Sequence, residues 1–176
     1  MLNQKDSFMP NSLDNNTRQL IFYFHNFIEI MRRDQSHTWF LLVKAVNGKS
    51  AIIGLDDVFL SLTAHGAPDL QVIIKSALKT ENPNFYTRGQ VLRNIISGKY
   101  LLDKAINEGH IYVRGDINEL LEMYNLVLNA LLDGNVNGDF LTLWLDFVNN
   151  WKPEDAKNNC WRLEDQLPVF DVDTFI

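Results

Sequence analysis

The sequence predicts an α+β domain, and three observations carry that prediction. Apolar residues recur at helical spacing near the start of the chain and over its last third. Between them lie short segments rich in β-branched and aromatic residues, separated by Asn47-Gly48, Gly66-Ala67-Pro68 and Asn82-Pro83. The resulting order is a helix, three strands, helices, a strand and further helices.

Leu20, Phe24, Phe27, Ile28 and Met31 form the stripe of the first helix, with Asn16 or Thr17 as its cap. Phe22, Tyr23 and Ile30 lie off that stripe, so this helix is either deeply buried or covers something apolar. Thr38–Val46 reads as a strand, and Asn47-Gly48 as a hairpin turn into a second strand over Lys49–Leu55. Val58–Thr63 is the third strand, with Asp56-Asp57 as a turn or strand edge before it. Leu70, Ile73, Ile74 and Ala77 share one helical face, so Leu70–Leu78 reads as a short helix. Asn84–Tyr86 is a short extended piece. Thr87 and Gln90 then make a capping box for a helix carrying Val91, Leu92, Ile95 and Ile96. Leu101, Leu102, Ala105 and Ile106 belong to another short helix, stopped by Gly109. His110–Arg114 alternates as a strand. Asp116 and Glu119 form a second capping box, opening a helix with Leu120, Tyr124, Val127, Leu128 and Leu131 on one face. Asp133–Gly138 is expected to end it, and Phe140, Trp144, Phe147, Val148 and Trp151 mark the last helix. Beyond Pro153 large apolar residues stand among Glu164, Asp165, Asp171 and Asp173. Such a tail either folds back on the domain, docks on a partner or closes an apolar opening.

Composition narrows the function class. The 176 residues are 46% hydrophobic and 22% charged, close to a globular average. The net charge of −6 makes nucleic acid a poor partner. The single cysteine, Cys160, allows no internal disulfide and suits a reducing compartment. Met1–Asn16 lacks the apolar core of a secretion signal, and no apolar run reaches the length of a membrane span. The expected location is therefore cytoplasmic.

Motifs with chemical meaning are incomplete. Gly48-Lys49-Ser50 imitates the end of a phosphate-binding loop, but Val43 stands where that loop needs glycine. Asp133, Asn135 and Asn137 imitate half of a calcium loop, but Trp144 occupies the place of the bidentate Glu. The four histidines, His25, His37, His65 and His110, have no metal-ligand spacing, so neither a metal nor a cofactor is expected. No Gly-x-Ser-x-Gly nucleophile elbow occurs, and nothing places a base beside Cys160.

Val91–Asp116 (VLRNIISGKYLLDKAINEGHIYVRGD) resembles the SCP2-like (sterol carrier protein 2) lipid-binding domain family. The likeness lies in an apolar helix ending at Gly98, a short helix with Ala105, Gly109, the alternating strand Ile111–Val113, and Gly115-Asp116 opening the next helix. Upstream, TWFLLVKAVNGKSAIIG looks like the family's first hairpin and Asp57–Leu62 like the strand that follows. The resemblance covers about residues 20–132; the Pro68–Tyr86 segment and the Trp-rich C-terminal part depart from it. It implies a mixed sheet of about five strands covered by helices on one face, with an apolar tunnel between the layers; the C-terminal helix and tail are additional to it. Residues 1–15 would be a flexible N-terminus, 16–134 the SCP2-like domain, and 135–176 a C-terminal helix and tail packed on it. The implied function is binding or carrying an apolar small molecule: a fatty acid, an acyl chain, a sterol or similar. Its expected lining is Phe24, Phe27, Phe40, Leu92, Ile95, Leu102, Ile106, Leu121 and Tyr124. Two alternatives stay open: an isomerase- or cyclase-type enzyme using His25, Tyr124 or Asp116 as acid or base, and a protein-interaction module docking through the tail.

Overall fold

A computed structural model describes residues 13–79 and 82–152. The described residues open with helix α1 (Asn15–Asp34), whose N-cap is Asp14: one carboxylate oxygen accepts from the Thr17 amide at 2.8 Å, the other from its hydroxyl at 2.6 Å. The cap expected at Asn16 or Thr17 thus sits slightly upstream, because aspartate accepts both donors of Thr17 at once. These bonds also hold the Asp14 carboxyl below its ordinary range.

The segment read as the first strand is helix α2 (His37–Val46). Ser36 caps it, its hydroxyl accepting from the Trp39 amide at 3.3 Å. Trp39, Leu42 and Ala45, spaced by three, all turn inward. Asn47-Gly48 is accordingly no hairpin turn. The Lys49 amide returns to the Val46 carbonyl at 2.9 Å, with Asn47 at φ −59° and ψ 127° and Gly48 at φ 76°. That is type II geometry, in which the second central residue needs positive φ, and it leads a helix into a strand.

The hairpin lies one element later. Strands β1 (Ser50–Leu55) and β2 (Val58–His65) pair antiparallel across Asp56-Asp57, with Asp56 at φ 52°. The predicted helix over Leu70–Leu78 is strand β3 (Gln71–Ser76), antiparallel to β2 from His65↔Gln71 to Leu60↔Ser76. Val72 and Ile74 face the helices while Ile73 and Lys75 alternate outward, a period of two that the helical spacing of Leu70, Ile73 and Ile74 conceals. Strand β4 (Phe85–Thr87) runs parallel to β1, and β5 (Ile111–Val113) antiparallel to β4. The result is an open mixed five-stranded sheet in the order β3-β2-β1-β4-β5.

Between and after these strands come helices α3 (Gly89–Ile96), α4 (Leu102–Asn107), α5 (Ile117–Val136) and α6 (Gly138–Asn150). Arg88, not Thr87, precedes α3, so the predicted capping box does not form. Thr87 is fully buried and donates to the His110 carbonyl at 3.0 Å. Asp116 does cap α5, accepting from the Asn118 and Glu119 amides at 2.9 and 3.0 Å. The calcium-like stretch does not stop α5 at Asp133. The Asp133 carboxylate accepts from the Thr38 hydroxyl at 2.5 Å, and the helix continues to Val136. Asn137 then caps α6.

Helix α6 is built into the core. Leu143, Phe147 and Trp151 join Leu20 and Tyr23 of α1 and Leu55, Val58 and Leu60 of the hairpin. Phe140 joins Ile28, Met31, Trp39, Leu42 and Leu126 in a second cluster. A third and smaller cluster, Ile95, Ala105 and Ile111, lies under α3 and α4. The tail readings beyond Lys152 lie outside the described residues.

Candidate functional site

Strand register sets out the helix-facing side of the sheet row by row. Val58 of β2 opposes Leu55 of β1, which aligns with Thr87 of β4 and Ile111 of β5. All four are at least 94% buried. Two residues along, the row is Leu60, Ile53, Phe85 and Val113. Leu60 is fully buried, Ile53 and Phe85 are half-buried, and Val113 is 38% exposed. The apolar face is sealed at one end and loses its cover toward β5 at the other.

Helices α3, α4 and α5 roof that open end. Phe85 packs against the third cluster together with Val91, Tyr100, Leu102, Ile106 and Leu131. Beside it, α5 leaves Ile117, Leu121 and Leu132 exposed and Leu128 half-buried. Those four positions recur at helical steps of four and seven, so they form one apolar flank. Leu101, just before α4, is also exposed. Apolar residues of the sheet and of three helices thus meet at this end, where Val113, Leu101 and the α5 flank stay exposed.

Exposed polar pairs lie beside this surface. The Tyr124 hydroxyl donates to the Asp103 carboxylate, joining α5 to α4, and this bond chiefly raises the phenol's pKa. The Tyr100 hydroxyl donates to Glu108; desolvation first, then this bond, pushes its pKa up to about 12. The same bond lowers the Glu108 carboxyl. The Lys104 ammonium lies 5.7 Å from the Tyr100 ring centre. Lys99 and Arg114 stand next to Tyr100 and Val113 in sequence, and neither forms an ion pair among the described residues.

The structure brings some of the predicted lining together and disperses the rest. Ile95, Leu102 and Ile106 meet in the third cluster, and Tyr124 is tied to α4 beside them. Leu121 lies on the exposed flank of α5. Leu92 and Phe24 pack against the first cluster instead, and Phe27 bridges the first and second, its ring 5.5 Å from Phe140 and 5.6 Å from Trp144. Phe40 is exposed on α2. It lines a separate cleft of about 370 Å³ with Arg32, Trp39, Val43, Pro68 and Leu70. Arg32 is already engaged there: it lies 5.5 Å over the Trp39 ring and donates to the Leu70 carbonyl at 2.9 Å.

The candidate acids and bases do not converge. His25 is exposed on α1, and Asp116 is committed to capping α5. Among the described residues no group of three or more His, Cys, Asp or Glu side chains could hold a metal ion.

Sequence reasoning missed a latch at the sealed end. The Asp56 carboxylate accepts from the Gly89 amide at 3.0 Å and from the Trp151 indole at 2.8 Å. A Cβ on Gly89 would lie 2.3 Å from the Trp151 indole nitrogen, so only glycine admits that ring. The Arg93 guanidinium donates to the Trp151 carbonyl at 3.1 Å, fixing the end of α6 to α3. The exposed flank of α5 was legible in its spacing, whereas the latch joins residues 95 positions apart. No family model matches the chain, and no curated protein or solved structure matches it either.

Proposed function

We propose that the chain binds or carries an apolar small molecule with a long hydrocarbon portion, such as a fatty acid or other acyl compound, at the apolar surface left open beside α3, α4 and α5. One observation carries the reading: the sheet row Leu60–Ile53–Phe85–Val113 passes from full burial to 38% exposure beneath helices that present further apolar surface. Completing such a cover with an alkyl chain gains about 0.8 kcal/mol per methylene, so few polar contacts are required. Lys104 over the Tyr100 ring, with Lys99 and Arg114 adjacent in sequence to Tyr100 and Val113, suits an anionic head better than an uncharged one. The five-stranded mixed sheet with helices on one face also agrees with what the SCP2-like resemblance implies.

Native mass spectrometry of the freshly purified chain, followed by organic extraction, tests this. The expected result is a co-purifying species of lipid mass, or uptake of added fatty acid at one equivalent. A clean apo mass that stays unchanged with both fatty acids and sterols would overturn it.

A further inference from the structure

We infer that strand β3 is a pairing edge through which two copies of this chain join antiparallel, continuing the sheet across a two-fold axis at Ile74. This goes beyond the ligand reading and stands without it, since it concerns the opposite edge of the sheet. The two edges differ. β5 runs for three residues, whereas β3 runs for six in unbroken register with β2, and no described element pairs with its outer side. An apolar edge of that length pairs with another chain unless something covers it. The register shows which backbone groups are free. One step beyond the Leu60↔Ser76 pair, the Ala77 amide donates to the Phe59 carbonyl opposite it at 2.8 Å. Alternate residues of an antiparallel strand bond to the same neighbour, so Gln71, Ile73 and Lys75 spend their N–H and C=O groups on β2. Val72, Ile74 and Ser76 direct theirs outward, and an extended chain is what satisfies such a row.

The edge is complementary to itself in one register. A two-fold axis perpendicular to the sheet keeps the helices of both copies on one side. Centred on Ile74, it sets Ile74 against its own copy and Val72 against Ser76, so every outward group is used, in about six main-chain bonds. Centred on Ile73, it would call on Leu70, whose carbonyl already accepts from Arg32 at 2.9 Å. Centred on Lys75, it would set two ammonium groups face to face. Side chains agree with the Ile74 centre. Lys75 forms no ion pair among the described residues and falls opposite Ile73 of the other copy, which is 45% exposed and is covered by the lysine methylenes. Continued past the strand, the register brings Leu78, 71% exposed, opposite Leu70 of the other copy. Leu70 lines the cleft that holds exposed Phe40, so that cleft receives an apolar side chain from the second chain. Lys79, bound to Asp57 at 2.7 Å in its own copy, arrives at the same end as Asp69 of the other, a carboxylate with no hydrogen bond or ion pair among the described residues. Opposite charges thus meet where the apolar groups do.

The test is sedimentation of the full chain over a range of concentrations. The expected result is a dimer at high micromolar chain that dissociates on dilution. Ser76→Pro removes an outward N–H from an exposed position that makes no bond to β2, so the monomer should keep its circular dichroism and lose the dimer. Ile73→Lys faces Lys75 of the other copy twice in the assembly and should weaken it about tenfold. Ile73→Glu faces the same ammonium groups and should leave the dimer at least as tight as the parent. A parent that stays monomeric at every concentration would overturn the inference, as would a dimer that survives both Ser76→Pro and Ile73→Lys. A dimer that Ile73→Glu dissociates as readily as Ile73→Lys would overturn the Ile74 register, because it would place the two Ile73 side chains opposite each other. Lipid extraction is a separate readout and should be the same for the parent and Ser76→Pro, so failure here and failure of the ligand reading are told apart.

Discussion

The two ends of the sheet's helix-facing side are built from similar residues and finished differently. At the sealed end, α1 and α6 press Leu20, Tyr23, Phe147 and Trp151 onto Leu55 and Val58, and the Asp56 latch locks the corner. At the other end, α3 and α4 are short, and α5 presents apolar residues past the sheet edge. A domain can thus derive its stability from one half of a layer and leave the other half incomplete. Surface left uncovered in this way is where a ligand or another segment gains most by binding.

Substitutions should separate the halves. The largest effect belongs to the sealed end. Trp151→Ala removes a fully buried ring stacked 5.7 Å from Phe147 and leaves the Asp56 carboxylate without its indole donor. A loss of about 3–5 kcal/mol in denaturant unfolding is expected, and a loss below about 1 would show that the latch is dispensable. The next effect is pH-dependent and comes from the same cluster. Desolvation, and then the 2.8 Å bond to Asp146, push the Tyr23 phenol to about 12, above its ordinary value of 10.0. Because the folded state favours the neutral phenol, this contribution is complete below pH 10. It is lost as the pH rises from there through about 12. Stability should fall by about 2 kcal/mol across that window, and a Tyr23→Phe chain should show a shallower decline.

At the open end the same kind of change should cost less and act on binding instead. Phe85→Ala truncates a half-buried ring, with an expected loss of about 1–2 kcal/mol together with weaker uptake of fatty acid. Leu121→Ser should leave stability within about 0.5 kcal/mol of the parent while reducing uptake. A stability loss at Leu121 as large as that at Trp151 would erase the distinction between the two ends.

The long elements were legible because their signals are local. The apolar repeat of α1, the Asp116 cap of α5 and the stripe of α6 need only neighbours within a few turns. The two elements whose type the sequence misstates are short apolar runs. Trp39-Phe40-Leu41-Leu42-Val43 has the composition of a strand, yet forms a helix because Ser36 caps it and three of its positions can face α1 and α5. Leu70–Ser76 permits either period, and six register pairs with β2 decide for a strand. Ile95, Leu102 and Ile106 pack together because they share one short stretch of pattern. Phe40 was misplaced because an exposed aromatic and a buried one look alike in sequence.

By itself, then, the sequence determined the α+β class, the long helices and the Asp116 cap of α5, the absence of an apolar run long enough to span a membrane, and the supply of apolar side chains. Each of those follows from residues close together in the chain. Tertiary structure alone decided the strand order β3-β2-β1-β4-β5, the identity of α2 and β3, the Asp56–Gly89–Trp151 latch and which end of the sheet stays open. These depend on contacts between distant residues, and no local pattern records which of several equally apolar surfaces will be covered.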